Sequence, residues 1–176
     1  TEVSKGTTFI IALPPSSEAP RKRAPSSGPR PMPVRRGNVL LVDDDVLFTN
    51  SLRRLFTAEH DVTVVNDGRV ALERLRNGER FDVILCDLMM PHMTGMELFA
   101  ELHRIVPDQA DNIVFLTGGA FTSAAREFLD EVPNQRMEKP FDPSALRAVV
   151  SARVRCATMT TTAEKSSQVL MDFCSI

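Results

Sequence analysis

Between residues 38 and 157 the sequence alternates, five times over, between a short apolar run and a stretch suited to a helix. "NVLLVD" at 38–43 precedes Phe48, Leu52, Leu55 and Phe56, and "DVTVV" at 61–65 precedes Val70, Ala71, Leu72 and Leu75. "FDVILCD" at 81–87 precedes a helix over 95–106 with Phe99, Leu102 and Val106 on one face. "NIVFLT" at 112–117 precedes a helix at 122–131. A short strand at 135–138 precedes a last helix opened by Pro143 and carrying Leu146, Val149 and Val150. Strands that are apolar throughout are buried on both faces, and strict strand–helix alternation gives a parallel sheet with helices on each side. Right-handed crossovers leave few topologies. The expected fold is α/β: a doubly wound, five-stranded parallel sheet of order 2-1-3-4-5.

The punctuation agrees. Asn66-Asp67-Gly68 turns the chain into the second helix, Asn77-Gly78 ends it, Pro107 marks the end of the third, and Gly118-Gly119 breaks the fourth strand. The alternating region, 38–156, is about the size of one domain. Ahead of it, residues 14–37 are rich in Pro, Ser and Arg and cannot bury enough surface to offset their ordering, so they read as a linker. Residues 1–13 carry a short apolar strand at 7–13, and 157–176 have no clear period and read as a disordered tail with no output domain after it.

Charge excludes more than it suggests. The net charge of −2 gives no general signal for nucleic acid or a membrane surface. The linker holds six basic residues and one acid, a bias that suits a solvated segment. No apolar run approaches the ~20 residues a membrane span needs. Three cysteines without metal-ligand spacing fit a reducing cytoplasm better than a disulfide framework.

The chemistry sits at the strand ends. Ligands of open parallel sheets bind beyond the carboxyl ends of the strands, where the winding reverses, here between the first and third. Asp43 and Asp44 end the first strand and Asp87 the third, so three carboxylates are expected to converge. Side by side they repel and raise at least one pKa unless a cation joins them, and hard oxygen donors without a Cys or His cluster suit Mg²⁺. Thr117 and Lys139, ending the fourth and fifth strands, add a hydroxyl and an ammonium. That set suits a dianionic phosphoryl group, and a carboxylate can take such a group as an aspartyl phosphate. Asp87, central between the acid pair and the Thr/Lys side, is the candidate acceptor. Asp45 reads as an acid at a helix N-terminus. His60, His92 and His103 read as ordinary exposed residues, and Cys86 as core.

In "LLVDDD" at 40–45, "CDLMMPHMTG" at 86–95, "FLTGG" at 115–119 and "EKPF" at 138–141, the sequence resembles the receiver domain of two-component response regulators. The resemblance implies a flavodoxin-like fold in which Asp87 takes a phosphoryl group from a phosphohistidine on a histidine kinase or a histidine phosphotransfer protein. It further implies Mg²⁺ held by Asp44, Asp87 and the main-chain carbonyl of Met89, with Asp43 acting through water. Lys139 would pair with a phosphoryl oxygen, Thr117 would move to bond another, and Lys139–Pro140 would be cis. The family places an aromatic three residues before the lysine, and this chain has Arg136 there, so Thr117 and Arg136 form the candidate switch pair. Met89 and Gly119 offer no side chain to position water, which implies slow autodephosphorylation. The fragment would catalyse only its own phosphotransfer and that slow loss.

"KGTTFIIALP" at 5–14 resembles the closing strand of a histidine-kinase ATP-binding domain, which implies the carboxyl-terminal receiver of a hybrid histidine kinase. Two rival readings stand beside the receiver. A haloacid-dehalogenase-like phosphatase would put its nucleophile at the end of the first strand, but Leu47 occupies the slot for Thr or Val and Asp87 would have no role. A receiver-like module that binds partners without phosphorylation is favoured only by Arg136.

Overall fold

In the computed structural model, which describes residues 35–118 and 122–157, the chain alternates strand and helix from the first element to the last. The order is β1 (Asn38–Val42), α1 (Val46–Phe56), β2 (Asp61–Val65), α2 (Gly68–Arg76), β3 (Val83–Asp87), α3 (Gly95–Ile105), α4 (Pro107–Asp111), β4 (Ile113–Gly118), α5 (Ser123–Glu131) and β5 (Arg136–Lys139), followed by α6 (143–157). The strand at 7–13, most of the 14–37 linker, Gly119 and the segment 158–176 lie outside the described residues.

The sheet is parallel throughout and ordered β2-β1-β3-β4-β5, the expected doubly wound arrangement. Side chains alternate across it, and the alternation sorts the core into two layers. Leu40, Val42, Ile84, Cys86, Ile113 and Phe115 face α2, α3 and α5, meeting Leu72, Leu75, Leu98, Leu102 and Leu129. Val39, Leu41, Val83, Leu85, Val114 and Leu116 face α1 and α6, meeting Leu52, Phe56, Leu146, Val150 and Val154. All five residues of β3, Asp87 included, are buried. At ~25 cal/mol per Å² of apolar surface removed from water, these two layers are the main source of stability.

Helix starts follow side-chain capping. Asp45 caps α1 by accepting from the N–H groups of Leu47 and Phe48, Asp67 caps α2, and Thr122 caps α5. Thr94 and Glu97 form a reciprocal capping box on α3. Pro107 follows the end of α3 as expected, and it is also the first residue of α4, where a proline's fixed φ and missing N–H cost nothing. Strand β5 is Arg136–Lys139 rather than 135–138, so Lys139 itself is held in the sheet, its partner in register being Gly118.

The lower edge is tied by residues at the end of the segment read as linker. Arg35 forms a two-pronged bond with Asp82 at 2.8 and 2.9 Å. Arg36 meets Asp61 and the carbonyls of Thr57, Ala58 and His60. The N–H of Gly37 donates to Nδ1 of His60 at 3.3 Å. His60 is therefore not an exposed residue: it is 2% exposed, tilted against Phe56, and must be neutral to accept that bond. Burial lowers its pKa from the usual imidazole value. The carboxylates of Glu59, Asp82 and Asp61 pull the other way without prevailing, and Arg36 adds to the lowering. A depressed folded-state pKa gives stability that is full above about pH 6.5 and lost as pH falls through the lower folded value. Urea midpoints of wild type should decline between pH 7.5 and 5.5. Those of His60→Gln, which keeps an acceptor but does not titrate, should stay flat over the same interval.

Candidate functional site

The carboxyl edge of the sheet gathers polar groups that the core rejects. Val42 is level with Cys86 in the β1–β3 ladder, so the residues that follow, Asp43 and Asp87, emerge side by side. Asp43 is 3% exposed and Asp87 8%. The alternation that puts Leu41 and Leu85 on the α1–α6 face puts both aspartates there too.

Local bonds fix each acid. The N–H of Asp45 donates to Asp43 Oδ1 at 2.9 Å, and Asn66 Nδ2 donates to the Asp43 carbonyl at 2.7 Å and to Thr49 Oγ1 at 3.3 Å. The N–H of Met89 donates to Asp87 Oδ2 at 2.8 Å. Gly95 lies so close that a Cβ there would stand 2.5 Å from the Asp87 carbonyl and 3.1 Å from Leu88 Cα. Only a residue without a side chain lets α3 start against the end of β3.

Lys139 closes the group. Its ammonium donates to Asp43 Oδ2 and to Asp87 Oδ1, each at 2.6 Å. It does so from a strand two places from that of Asp87 and three from that of Asp43, with its side chain 24% exposed. Burial pushes the Asp43 carboxyl above its ordinary range. The hydrogen bond from Lys139, the Asp45 N–H and the Lys139 charge offset part of this, and the charge of Asp87 adds to it. For Lys139 burial works against the ammonium, but the bonds to and charges of Asp43 and Asp87 outweigh it and raise its pKa. Burial raises the Cys86 thiol far above its usual value, with Asp87 adding to the effect, so Cys86 is inert core as expected.

Not every expected residue joins. Asp44 is exposed, and among the described residues no group of three acid, His or Cys side chains is arranged to hold a metal ion. β1 ends at Val42 and the chain bends at Asp44, so Asp43 stays buried while Asp44 is turned out. The expected convergence of three carboxylates is thus two carboxylates sharing one ammonium. Thr117 is 2% exposed and donates to the Met137 carbonyl at 3.2 Å. It shares the parity of Phe115, on the α5 side of the sheet, and helps line a cavity of about 500 Å³ with Arg126, Leu129, Asp130, Arg136 and Glu138. Arg136 is exposed and donates to the Leu129 carbonyl at 3.0 Å and Asp130 at 3.2 Å. Residues that sequence reasoning passed over as helix or loop, Phe48 and Asn66, touch the site directly. No local pattern marks them, because both contacts cross between elements.

This chain belongs to the response regulator receiver domain family, whose model matches residues 39–151. It is a receiver domain of the two-component systems. It is 29% identical over 180 residues to the aerobic respiration control sensor protein ArcB of Escherichia coli, covering 97% of this chain and 22% of ArcB. It is 34% identical over 125 residues to the DNA-binding response regulator MtrA of Mycobacterium tuberculosis, covering 70% of this chain and 53% of MtrA. The chain thus spans about a fifth and about half of the lengths of these relatives. Its fold matches the receiver domain of the sensor histidine kinase PA1611 of Pseudomonas aeruginosa, a structure with a magnesium ion in its active-site cleft. That match has a TM-score of 0.59 and 24% identity, covering 68% of this chain and 98% of that one.

Two outcomes follow from the geometry. Gly95→Ala should lower stability by about 1–3 kcal/mol, since backbone rather than a mobile side chain must yield. Its Asp87 amide resonance should shift more than those of β1, which urea unfolding and NMR together can check. Lys139→Met leaves two buried carboxylates without their counterion. Breaking a fully buried pair costs about 3–5 kcal/mol, and partial exposure brings the expected loss at pH 7 to about 1–3 kcal/mol. Because the folded pKa of Lys139 is raised, its contribution is full below about pH 10.5 and is lost as pH climbs through the folded value. The gap between wild type and variant in urea should therefore close only in strong alkali.

Proposed function

We propose that Asp87 is the phosphoacceptor of this receiver and that the group comes from a phosphohistidine on a histidine kinase or a histidine phosphotransfer protein. The observation that carries the reading is the Lys139 ammonium within 2.6 Å of both Asp43 and Asp87. In the transfer, an Asp87 carboxylate oxygen forms a new P–O bond while the P–N bond of the donor breaks. The bonding pair stays on the imidazole nitrogen. Lys139 then offers an N–H to a phosphoryl oxygen, an arrangement that works by placing charge where charge accumulates.

The donor chemistry here fits Mg²⁺. Asp43 and Asp87 present oxygens close enough to share one cation, as they share the ammonium, and no thiolate or imidazole competes. Asp43, Asp87 and the main-chain carbonyl of Met89 are the residues that would hold it, Asp43 through water, and Asp44 would join them only by turning inward from the exposed position it has here. Bound there, the ion would supply neutralisation of the phosphoryl charge. The magnesium ion in the cleft of the PA1611 receiver supports this assignment.

Thr117 and Arg136 are the proposed switch. Both line one cavity on the α5 side, and Thr117 must leave the Met137 carbonyl to reach a phosphoryl oxygen. The aspartyl phosphate would change a protein-binding surface. ArcB aligns with 97% of this chain, including most of the stretch ahead of β1, and this supports an origin as the receiver of a hybrid histidine kinase in the cytoplasm. Under this reading residues 1–13 are a kinase remnant and 38–156 the receiver. No helix among the described residues is long and apolar enough to cross a membrane. The haloacid-dehalogenase-like alternative would need its nucleophile at the end of β1, where Asp43 is instead tied to Lys139 and Asp45.

Incubation with acetyl phosphate and Mg²⁺ should give one slowly decaying adduct on Asp87, absent in Asp87→Asn and absent with EDTA. Beryllofluoride should bind wild type alone. Repeated turnover of a phosphatase substrate, or equal labelling of Asp87→Asn, would refute the assignment.

A further inference from the structure

Lys139 has a third neighbour, and it is not polar. Its Nζ stands 4.2 Å from the centroid of the Phe48 ring. That ring meets Phe141 edge-on, with centroids 6.0 Å apart and planes at 62°. Both aromatics are partly buried against the core layer of α1 and α6, the face that also receives Asp43 and Asp87. We propose that Phe48, backed by Phe141, is a positioning residue for phosphoryl transfer, an aromatic platform that fixes the Lys139 ammonium between the two aspartates. The inference rests on the reading of Asp87 as the phosphoacceptor.

The stereochemistry is complete. An ammonium has three N–H donors; Asp43 takes one and Asp87 another, each at 2.6 Å. The ring face attracts the remaining side of the cation through its quadrupole, and the attraction grows where water is excluded. Lysine needs such help, because its charge rides on a flexible four-carbon stem. Once an Asp87 oxygen bonds to phosphorus, one of the two carboxylate anchors changes character. The ring does not, so the ammonium stays where an incoming phosphoryl oxygen needs it, and the cost of ordering it is already met.

The platform is tied to one of those acids through Asp45. The N–H of Phe48 donates to Asp45 Oδ1 at 3.0 Å, and the N–H of Asp45 donates to Asp43 Oδ1 at 2.9 Å. Asp43, Asp45, Phe48 and Lys139 therefore form a closed ring of contacts. A residue serving only as core filler would depend on its volume. A platform depends on its π face, and this difference can be measured.

The test compares wild type, Phe48→Leu and Phe48→Tyr in their rate of phosphorylation by acetyl phosphate with Mg²⁺, and follows the Lys139 side chain by NMR. Phe48→Leu should slow phosphorylation roughly 3- to 30-fold, and Phe48→Tyr, which restores the ring, should stay within about twofold of wild type. In wild type the Lys139 Hε and ammonium protons should be shifted upfield by the ring, and Phe48→Leu should abolish that shift. Wild-type rates in Phe48→Leu, equal slowing in both variants, or unshifted Lys139 protons in wild type would overturn the proposal. If Phe48→Leu fails to fold, the wild-type Lys139 shifts and the Phe48→Tyr rate still decide. Should wild type itself take no phosphoryl group, the assignment of Asp87 fails and the platform's role falls with it; a defect confined to the comparison of variants touches the platform alone.

Discussion

One ammonium between two carboxylates holds this site together. Asp43 and Asp87 are each less than a tenth exposed, and buried acids side by side would repel and take up protons. Lys139 meets both at 2.6 Å and keeps a cation where the sheet gathers its negative charge. Burial still raises the Asp43 carboxyl, so the pairing is incomplete compensation rather than a comfortable resting place. A cluster in that condition gains from any further cation or from a change in the charge it carries. That is the physical basis for reading it as an acceptor rather than as a structural salt bridge.

The sheet makes this placement rigid. Its central strands are apolar on both faces, and the two core layers clamp them from either side. An acid at the end of such a strand cannot relax toward water without pulling on the core, and close packing resists that. Gly95 tightens the frame further, because α3 begins against the backbone of Asp87 itself. The same parity that packs the core divides the chemistry. Asp43, Asp87, Lys139 and Phe48 meet on the α1–α6 side, while Thr117 and Arg136 line a cavity with α5. Under the proposed switch, the Thr117 hydroxyl at the end of β4 would link one face of the sheet to the other.

Much of this was legible from residue order. Continuous apolar runs named the strands, Asp45 stood at the start of a helix as an N-terminal acid does, and Asp43, Asp87 and Lys139 stood where strands had to end. Pro107 was rightly read as following the end of α3, but the short α4 that it opens was missed, because proline punctuates both ends of helices and five residues carry no clear period. His60 was misread because a lone histidine between a helix and a strand carries no local mark of burial. Its environment comes from Phe56, Arg36 and the Gly37 N–H, which only the folded edge assembles. The extra basic residues Arg35 and Arg36 looked like solvated linker for the same reason, since their partners Asp82 and Asp61 lie far along the chain.

The sequence alone determined the class of fold, the order of strands and which residues could reach the carboxyl edge, because hydrophobic period and turn chemistry act over short distances. Only the tertiary structure decided that Asp43 points inward and Asp44 outward, that Thr117 and Asp87 lie on opposite faces, and that an aromatic ring sits under the lysine. Those outcomes depend on register between strands and on contacts up to 96 residues apart, as between Lys139 and Asp43. A one-residue change of register would reverse every face, and no local pattern encodes it.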